Sequence, residues 1–345
     1  MKEKYKIIFD ESAQVDSSNI QQLFEGDLIN NLEANGNFAK FSKMYAFSTE
    51  NLSSYFPKID FKDKKVLTVS GSGDHAICSY LQGAKEVTIF DKNRLSGCFL
   101  DLKSSAQSEL GFSNFQKFFR DVTNPGFNRS SNENAFDFEI YKSLRNNLSI
   151  NSQIFFDNVY DYFNNDGFKL RKSKIFIQHE EVINDDDTHR TNLYLKSRWN
   201  YYNAKRKIAG KQSRWILSDI KNLVNHLSDE DVFDVVLLSN ISDYIKKIYP
   251  DDEQYLQKFA DEIIDPLSHH LNPKGIISMY VYDDYKNPAP FRKNCIGPVF
   301  RTDIDNPGKR EQILRSLNLD YKEISFNGYW HGENDAVIVL QNRGK

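Results

Sequence analysis

KVLTVSGSGDHAICSYLQGAKEVTIFD, residues 65–91, decides the fold of this chain. An apolar, β-forming run (Val66, Leu67, Val69) breaks at Gly71-Ser72-Gly73-Asp74. A helix-compatible stretch follows, and a second β-type run, Val87-Thr88-Ile89-Phe90, ends on Asp91. Strand, glycine turn, helix, strand and acid make up the first half of a nucleotide-type binding fold. Glycines let a ligand lie against the backbone where the helix begins. An acid after the second strand holds both hydroxyls of a ribose. A ligand with an adenosine-like end is expected here. The Gly-x-Gly turn alone is a weak signal, and Ala76 stands at the third glycine position of the dinucleotide fingerprint. Asp91 lies 18 positions after Gly73, close to the ~20 expected of a ribose-binding acid. That spacing weighs ribose binding above a merely solvated acid at a strand end.

Further strand signals return near residue 215. Trp215-Ile216-Leu217 runs into Ser218-Asp219, and Phe233 to Leu238 runs into Ser239-Asn240. Gly275 to Val281 follows the turn Asn272-Pro273-Lys274, and Asp335 to Leu340 reads as a closing strand partnered by Tyr321 to Phe326. Strands alternating with helices predict an α/β fold with a mostly parallel sheet. Residues 1–60 read as a mostly helical lead-in, because Ile20, Leu23, Phe24, Leu28 and Leu32 recur at helical spacing. Within it Tyr45 to Asn51 is a polar turn in which Ser48 and Thr49 fit a helix cap. Residues 99–213 carry helical patterns, an Asn/Ser-rich loop from Thr123 to Ala135 and an acidic turn at Asn184 to Asp187. The expected organisation is therefore a helical segment (1–60), a ligand-binding domain (61–98 and 214–345) and a helical insertion (99–213) serving as a lid or subdomain.

Composition narrows the partners. The 345 residues carry a net charge of −3 with 26 Phe and 18 Tyr, which points to extensive aromatic packing or stacking. A dedicated nucleic-acid binder is usually more basic, so a small-molecule or lipid-like acceptor is expected and a nucleic acid is not. No apolar run approaches the ~20 residues needed to span a bilayer, and MKEKYKIIFDES has no apolar signal core. Cys78, Cys98 and Cys295 show no CxxC spacing. A cytoplasmic protein without disulfides is expected. His269-His270 lacks a third ligand nearby, so no metal site is expected.

Glycine turn, Asp91, Ser218-Asp219 and then Ser239-Asn240 follow the order in which class I S-adenosylmethionine (SAM) enzymes lay out a cofactor site. The turn approaches the methionine part, the second-strand acid takes the ribose, and an acid after the third strand meets the adenine amino group. The fourth strand delivers residues to the reacting centre, all at carboxyl ends of strands. Asp219 fits a helix cap as well as an adenine ligand, and Asp234 belongs to the approach of its strand. On VLTVSGSGD, GAKEVTIFDKN and LDLK, with the later FDVVLLSNISDYI, the chain resembles the SAM-dependent 3-amino-3-carboxypropyl transferases of betaine-lipid synthesis and their uncharacterised bacterial relatives. The resemblance covers about 45–110 and 215–245. It implies a Rossmann-like class I methyltransferase fold, a SAM cofactor, and a cofactor site lined by Gly71, Gly73, Asp74 and Asp91 with Asn93 beside the ribose; the turn and the strand ends add Ser70, Ser72, Ser218, Asp219 and Ser239 as expected cofactor contacts. Two departures stand out: Thr68 replaces a first-strand acid, a charge that Asp74 is expected to supply instead, and Arg94 replaces a proline.

SAM's sulfonium activates both its methyl carbon and the γ-carbon of the methionine chain, so geometry at the nucleophile selects the group transferred. The resemblance pulls toward aminocarboxypropyl transfer and the habits of the fold toward methyl transfer, which is preferred narrowly. Asn240 is expected to orient an amine nucleophile, and Asp243 or Tyr244 to assist proton removal; Asp243-Tyr244 equally fits an outward-packed helix start. Tyr194 to Arg214 holds seven cations, Trp199, Tyr201, Tyr202 and no acid. Such a stretch grips phosphates or stacks bases, attracts an anionic membrane surface, or forms a solvated helix face, the commonest case. Trp330-His331 fits a substrate pocket or plain loop packing. Competing readings are a nucleic-acid-modifying methyltransferase, a non-catalytic SAM-fold interaction protein, and a dinucleotide-dependent oxidoreductase.

Overall fold

A computed structural model describes residues 4–10, 44–119, 135–173, 175–176, 191–241, 248–249, 254–281, 316–327 and 334–344. These group into two compact units, one within 1–53, 70–81 and 86–217, the other within 54–69, 82–85 and 218–345.

The first unit contains β1 (Lys6–Phe9), β3 (Glu86–Asp91) and β4 (Gln212–Leu217). All pair in parallel, with β4 between the other two: Ile7 lies opposite Ser213, and Ile89 opposite Trp215. β1 is a strand that lies within the stretch read as a mostly helical lead-in. Tyr5, Ile7 and Phe9 are buried while Lys6 and Ile8 face solvent, the period of two that marks a strand with one buried face. Phe9 packs its ring 5.5 Å from that of the buried Trp215. The expected helical lead-in at 20–32 lies outside the described residues.

Helices α1 (Asp74–Leu81), α2 (Arg94–Glu109), α3 (Phe112–Phe119), α4 (Phe138–Arg145), α5 (Ile150–Tyr162), α6 (Gly167–Lys172) and α7 (Arg198–Ile208) complete this unit. Their starts are written in short polar residues. Asn93, Asp137, Ser149, Asp166 and Ser197 each accept a bond from an amide in the first turn of α2, α4, α5, α6 and α7, satisfying donors the helix leaves free. Phe99, Phe115, Phe118, Phe119, Phe136 and Phe176 are all shut off from solvent. Their rings meet edge-on or tilted, as in Phe99 against Phe119 at 5.6 Å and Phe136 against Phe176 at 5.0 Å. Such contacts contribute roughly 0.5–1.5 kcal/mol beyond area burial, so the phenylalanine content is spent on a core.

The second unit holds β2 (Lys65–Val69), β5 (Phe233–Leu237), β6 (Leu271–Val281), β7 (Leu319–Asn327) and β8 (Asn334–Asn342). β5 lies parallel to both β2 and β6, whereas β8 runs antiparallel to β6 and to β7. The architecture is therefore α/β with mostly parallel pairing, and β7 is the expected partner of the closing strand. β6 begins earlier than anticipated and takes in Asn272-Pro273-Lys274. Lys274 there has φ +66°, and the β5 register shifts between Phe233 and Val235. The Asp234 carboxylate accepts from the Lys65 amide at 2.8 Å and from the Asn272 side-chain amide at 3.1 Å.

Candidate functional site

The glycine turn forms where β2 ends and α1 begins. Gly71 and Gly73 sit at φ +48° and +83°, a region that costs a side chain about 1 kcal/mol or more. The two differ in surroundings. A Cβ on Gly73 would come within 2.6 Å of Leu100 Cδ1 in α2, whereas one on Gly71 would meet nothing within 4 Å. Gly73 therefore serves packing, and Gly71 leaves open space beside the chain. The Gly73 amide closes the turn on the Ser70 carbonyl at 2.7 Å.

Asp91, half-buried at the end of β3, holds this turn. Its Oδ2 accepts from the Gly71 amide at 3.0 Å and its Oδ1 from the Asn93 amide at 2.9 Å. Burial pushes its pKa above the ordinary 3.8, opposed by the Asn93 and Gly71 amides and the Ser96 hydroxyl. A carboxylate offers about four acceptor sites, so with these three donors in place capacity remains for a ligand hydroxyl. Asn93 spends its side-chain carbonyl capping α2, at 3.2 Å from the Leu95 amide.

Asp74 is fully buried, and both its oxygens are engaged. Oδ1 accepts from Lys103 Nζ at 2.8 Å and Tyr194 OH at 2.7 Å; Oδ2 accepts from the Ser48 amide at 2.5 Å and Ser72 Oγ at 2.9 Å. Four donors fill a carboxylate, so Asp74 has all its acceptor positions answered within the protein. It is a positioning residue that fastens the start of α1 to three other segments. Lys103 lies in a cage of Phe47, Phe99 and Phe119 rings, 4.7–5.9 Å from their centroids, and donates also to the Ala46 carbonyl at 2.6 Å. Burial lowers its pKa, while Asp74 acts against that fall. Burial and the neighbouring Asp74 raise the pKa of Tyr194 and keep its hydroxyl a donor.

Residues 45–51, a polar turn with several potential ligand contacts in which capping by Ser48 and Thr49 is the preferred reading, belong to the same cluster. Glu50 Oε2 lies 3.0 Å from His75 Nε2 with both side chains buried, next to the Ser48–Asp74 bond. Glu50, His75, Lys103 and Tyr194 are the residues that reading the sequence misses. The available signal was the polarity of YAFSTEN and the acidic residue opening α1.

Ser70 is also in this unit. Its hydroxyl is buried and has no hydrogen-bond partner among the described residues. Such a group commonly marks a place filled by a ligand or water. An adenosine-bearing ligand fits this set: an open approach at Gly71, acceptor capacity on Asp91 and an unanswered hydroxyl on Ser70.

The remaining candidates stand in the second unit. Ser218 Oγ donates to the Asp219 carbonyl at 2.9 Å. The exposed Asp219 accepts the amide and the side-chain NH2 of Asn222, both at 3.0 Å, so the turn-capping role is the one its geometry displays. Ser239 follows β5 at φ +53°, a strained setting for a residue with a side chain. The Tyr280 amide donates to its carbonyl at 2.8 Å. Asn240 is half-buried beside it, Oδ1 3.4 Å from Ser239 Oγ. Asp243, Tyr244, Trp330, His331 and Cys295 lie outside the described residues. His269 and His270 each place Nδ1 2.9 Å from a backbone carbonyl, of Asp265 and Asp231.

No family model matches the chain, and no curated protein matches it. Among solved structures, the N-methyltransferase NodS from Bradyrhizobium japonicum WM9 is 10% identical with a TM-score of 0.32, covering 85% of this chain and 89% of that one. NodS in complex with S-adenosyl-L-homocysteine is 11% identical with a TM-score of 0.31, covering 85% and 81%. The rRNA methyltransferase AviRa from Streptomyces viridochromogenes is 7% identical with a TM-score of 0.35, covering 82% and 78%.

Proposed function

We propose that this chain is a class I SAM-dependent transferase acting on a small-molecule or lipid-like acceptor, with methyl transfer narrowly preferred over 3-amino-3-carboxypropyl transfer. The observation that carries the reading is the Asp91–Gly71 bond. It ties the acid ending β3 to the turn that opens α1, putting acceptor oxygens beside open backbone, which is what a ribose requires. Ser70 adds a buried hydroxyl that has no partner among the described residues. Asp74 and Lys103 keep the turn in place from behind.

When bound, SAM supplies an electrophilic carbon on a sulfonium. In this reading Asp91 accepts from a ribose hydroxyl, and Gly71 leaves the room in which the ligand lies. Asn240 is assigned to the acceptor side, where its side-chain carbonyl orients a nucleophilic amine.

Calorimetric titration with SAM tests the cofactor assignment. Wild type binds, and Asp91→Ala loses measurable affinity; near-normal affinity in that variant would falsify the site. Mass spectrometry of acceptors from a cell extract then separates the two reactions. A product heavier by one methyl group supports the preferred chemistry, and one heavier by an aminocarboxypropyl group supports the alternative.

A further inference from the structure

Helix α7 presents a cationic and aromatic face that the cofactor reading does not use. Tyr201, Ala204 and Ile208 face the core. On the opposite side Trp199 is 72% and Tyr202 50% exposed. With about 100° of rotation per residue, Trp199, Tyr202 and Arg206 form a line along the middle of the exposed face. Arg198 flanks that line on one side and Lys207 on the other; both are exposed, as is Lys196 just before the helix. Arg206 Nη2 donates to Asn203 Oδ1 at 2.8 Å, within the helix. Residues 192–217 contain no acid, so the segment offers no negative charge of its own to offset these cations.

Two exposed aromatics between rows of cations are costly to leave in water and need an amphipathic, anionic counterpart. We propose that the α7 face docks this protein onto an anionic phospholipid surface. Trp199 and Tyr202 enter the headgroup region, where indole and phenol rings are favoured. The arginines and lysines extend their stems beside them to reach lipid phosphates. Single-stranded nucleic acid is disfavoured by the shape. Sequence-tolerant binding of strands uses a positive groove that tracks the backbone, and here the aromatics project from one convex helix. The whole chain is net negative, whereas a surface reads only charges within about a Debye length of 8–10 Å. The proposal rests on α7 alone and holds whatever the cofactor is.

Co-sedimentation of the full chain with vesicles tests it. Vesicles of phosphatidylglycerol mixed with phosphatidylcholine should carry the protein down, and pure phosphatidylcholine vesicles should not. Neutralising Arg198→Gln, Arg206→Gln and Lys207→Gln together should lower partition about 100-fold, since each basic residue at such a surface is worth about a factor of five. Trp199→Ala with Tyr202→Ala should also release the protein. Because all five side chains face solvent or lie at its edge, unchanged thermal unfolding verifies that the variants fold. Equal partition to both vesicle types, or partition unchanged in the variants, overturns the proposal. So does variant-sensitive binding to a single-stranded RNA oligonucleotide with no vesicle binding.

Discussion

Lys103 Nζ stands 2.8 Å from Asp74 Oδ1 with both side chains at 0% exposure. The lysine comes from the third turn of α2 and the aspartate opens α1, so one ion pair joins the helices that precede and follow β3 in the chain. Tyr194, Ser48 and Ser72 fill the remaining acceptor positions of the carboxylate. A buried pair of this kind adds little over a hydrophobic replacement, yet breaking it from one side strands a charge.

Lys103→Met should therefore cost about 3–5 kcal/mol in unfolding free energy, the usual penalty for one partner of a buried pair. Combining it with Asp74→Asn removes the stranded charge, so the double variant should lose clearly less than the sum of the two singles. Urea denaturation of the four proteins measures the coupling. Strict additivity would show that the pair is not coupled.

Tyr194→Phe removes one of four donors to Asp74 and leaves three. A loss of about 0.5–1.5 kcal/mol is expected, the net worth of a single hydrogen bond, and urea midpoints report it. A loss as large as that of Lys103→Met would make Tyr194 an equal partner in holding the charge.

The two turn glycines should respond differently to alanine. Both pay about 1 kcal/mol for a positive φ, but Gly73→Ala also drives its Cβ into Leu100 and should be distinctly less stable. Gly71→Ala meets no protein atom and should retain most of its stability while weakening SAM binding. Thermal unfolding and calorimetry on both variants separate packing from ligand approach.

How much was legible in the sequence follows from the range of each interaction. The strand–turn–helix–strand unit of 65–91 and the β7–β8 pair rest on local apolar runs and glycines, which a sequence displays directly. Asp74 was visible as a residue but not in its role, because Ser48, Lys103 and Tyr194 lie 26, 29 and 120 positions away. Lys103 inside α2 resembles any solvated helix lysine until the rings of Phe47, Phe99 and Phe119 close around it. β1 was missed because KYKIIFD is short and its alternation extends over only three buried residues. Asp219 shows the reverse case, since its bonds to Asn222 are local and the capping alternative was already in view.

Ser239→Gly should stabilise the ligand-free protein. Its φ of +53° is free for glycine and costs serine about 1 kcal/mol, so a gain of several tenths to about 1 kcal/mol is expected in urea unfolding. If the strain serves the reacting centre beside Asn240, turnover falls as stability rises, the exchange common at functional positions. A gain in both would place Ser239 outside the chemistry.

Asp91 carries the pH dependence. Its folded pKa lies above 3.8 and above its unfolded value, so in the window between the two the native state binds more protons than the unfolded one. Its contribution to stability is fully present below the unfolded pKa and is lost as pH rises through the folded pKa. SAM binding should run the opposite way, because the ionised carboxylate is the better acceptor for ribose hydroxyls. Affinity should fall as acidification protonates Asp91, with a midpoint above 3.8, and Asp91→Asn should bind weakly with that step removed. Calorimetric titrations between about pH 4 and 7 cover the carboxylate range. A step of equal size surviving in Asp91→Asn would assign the titration to another group and detach the ribose from β3.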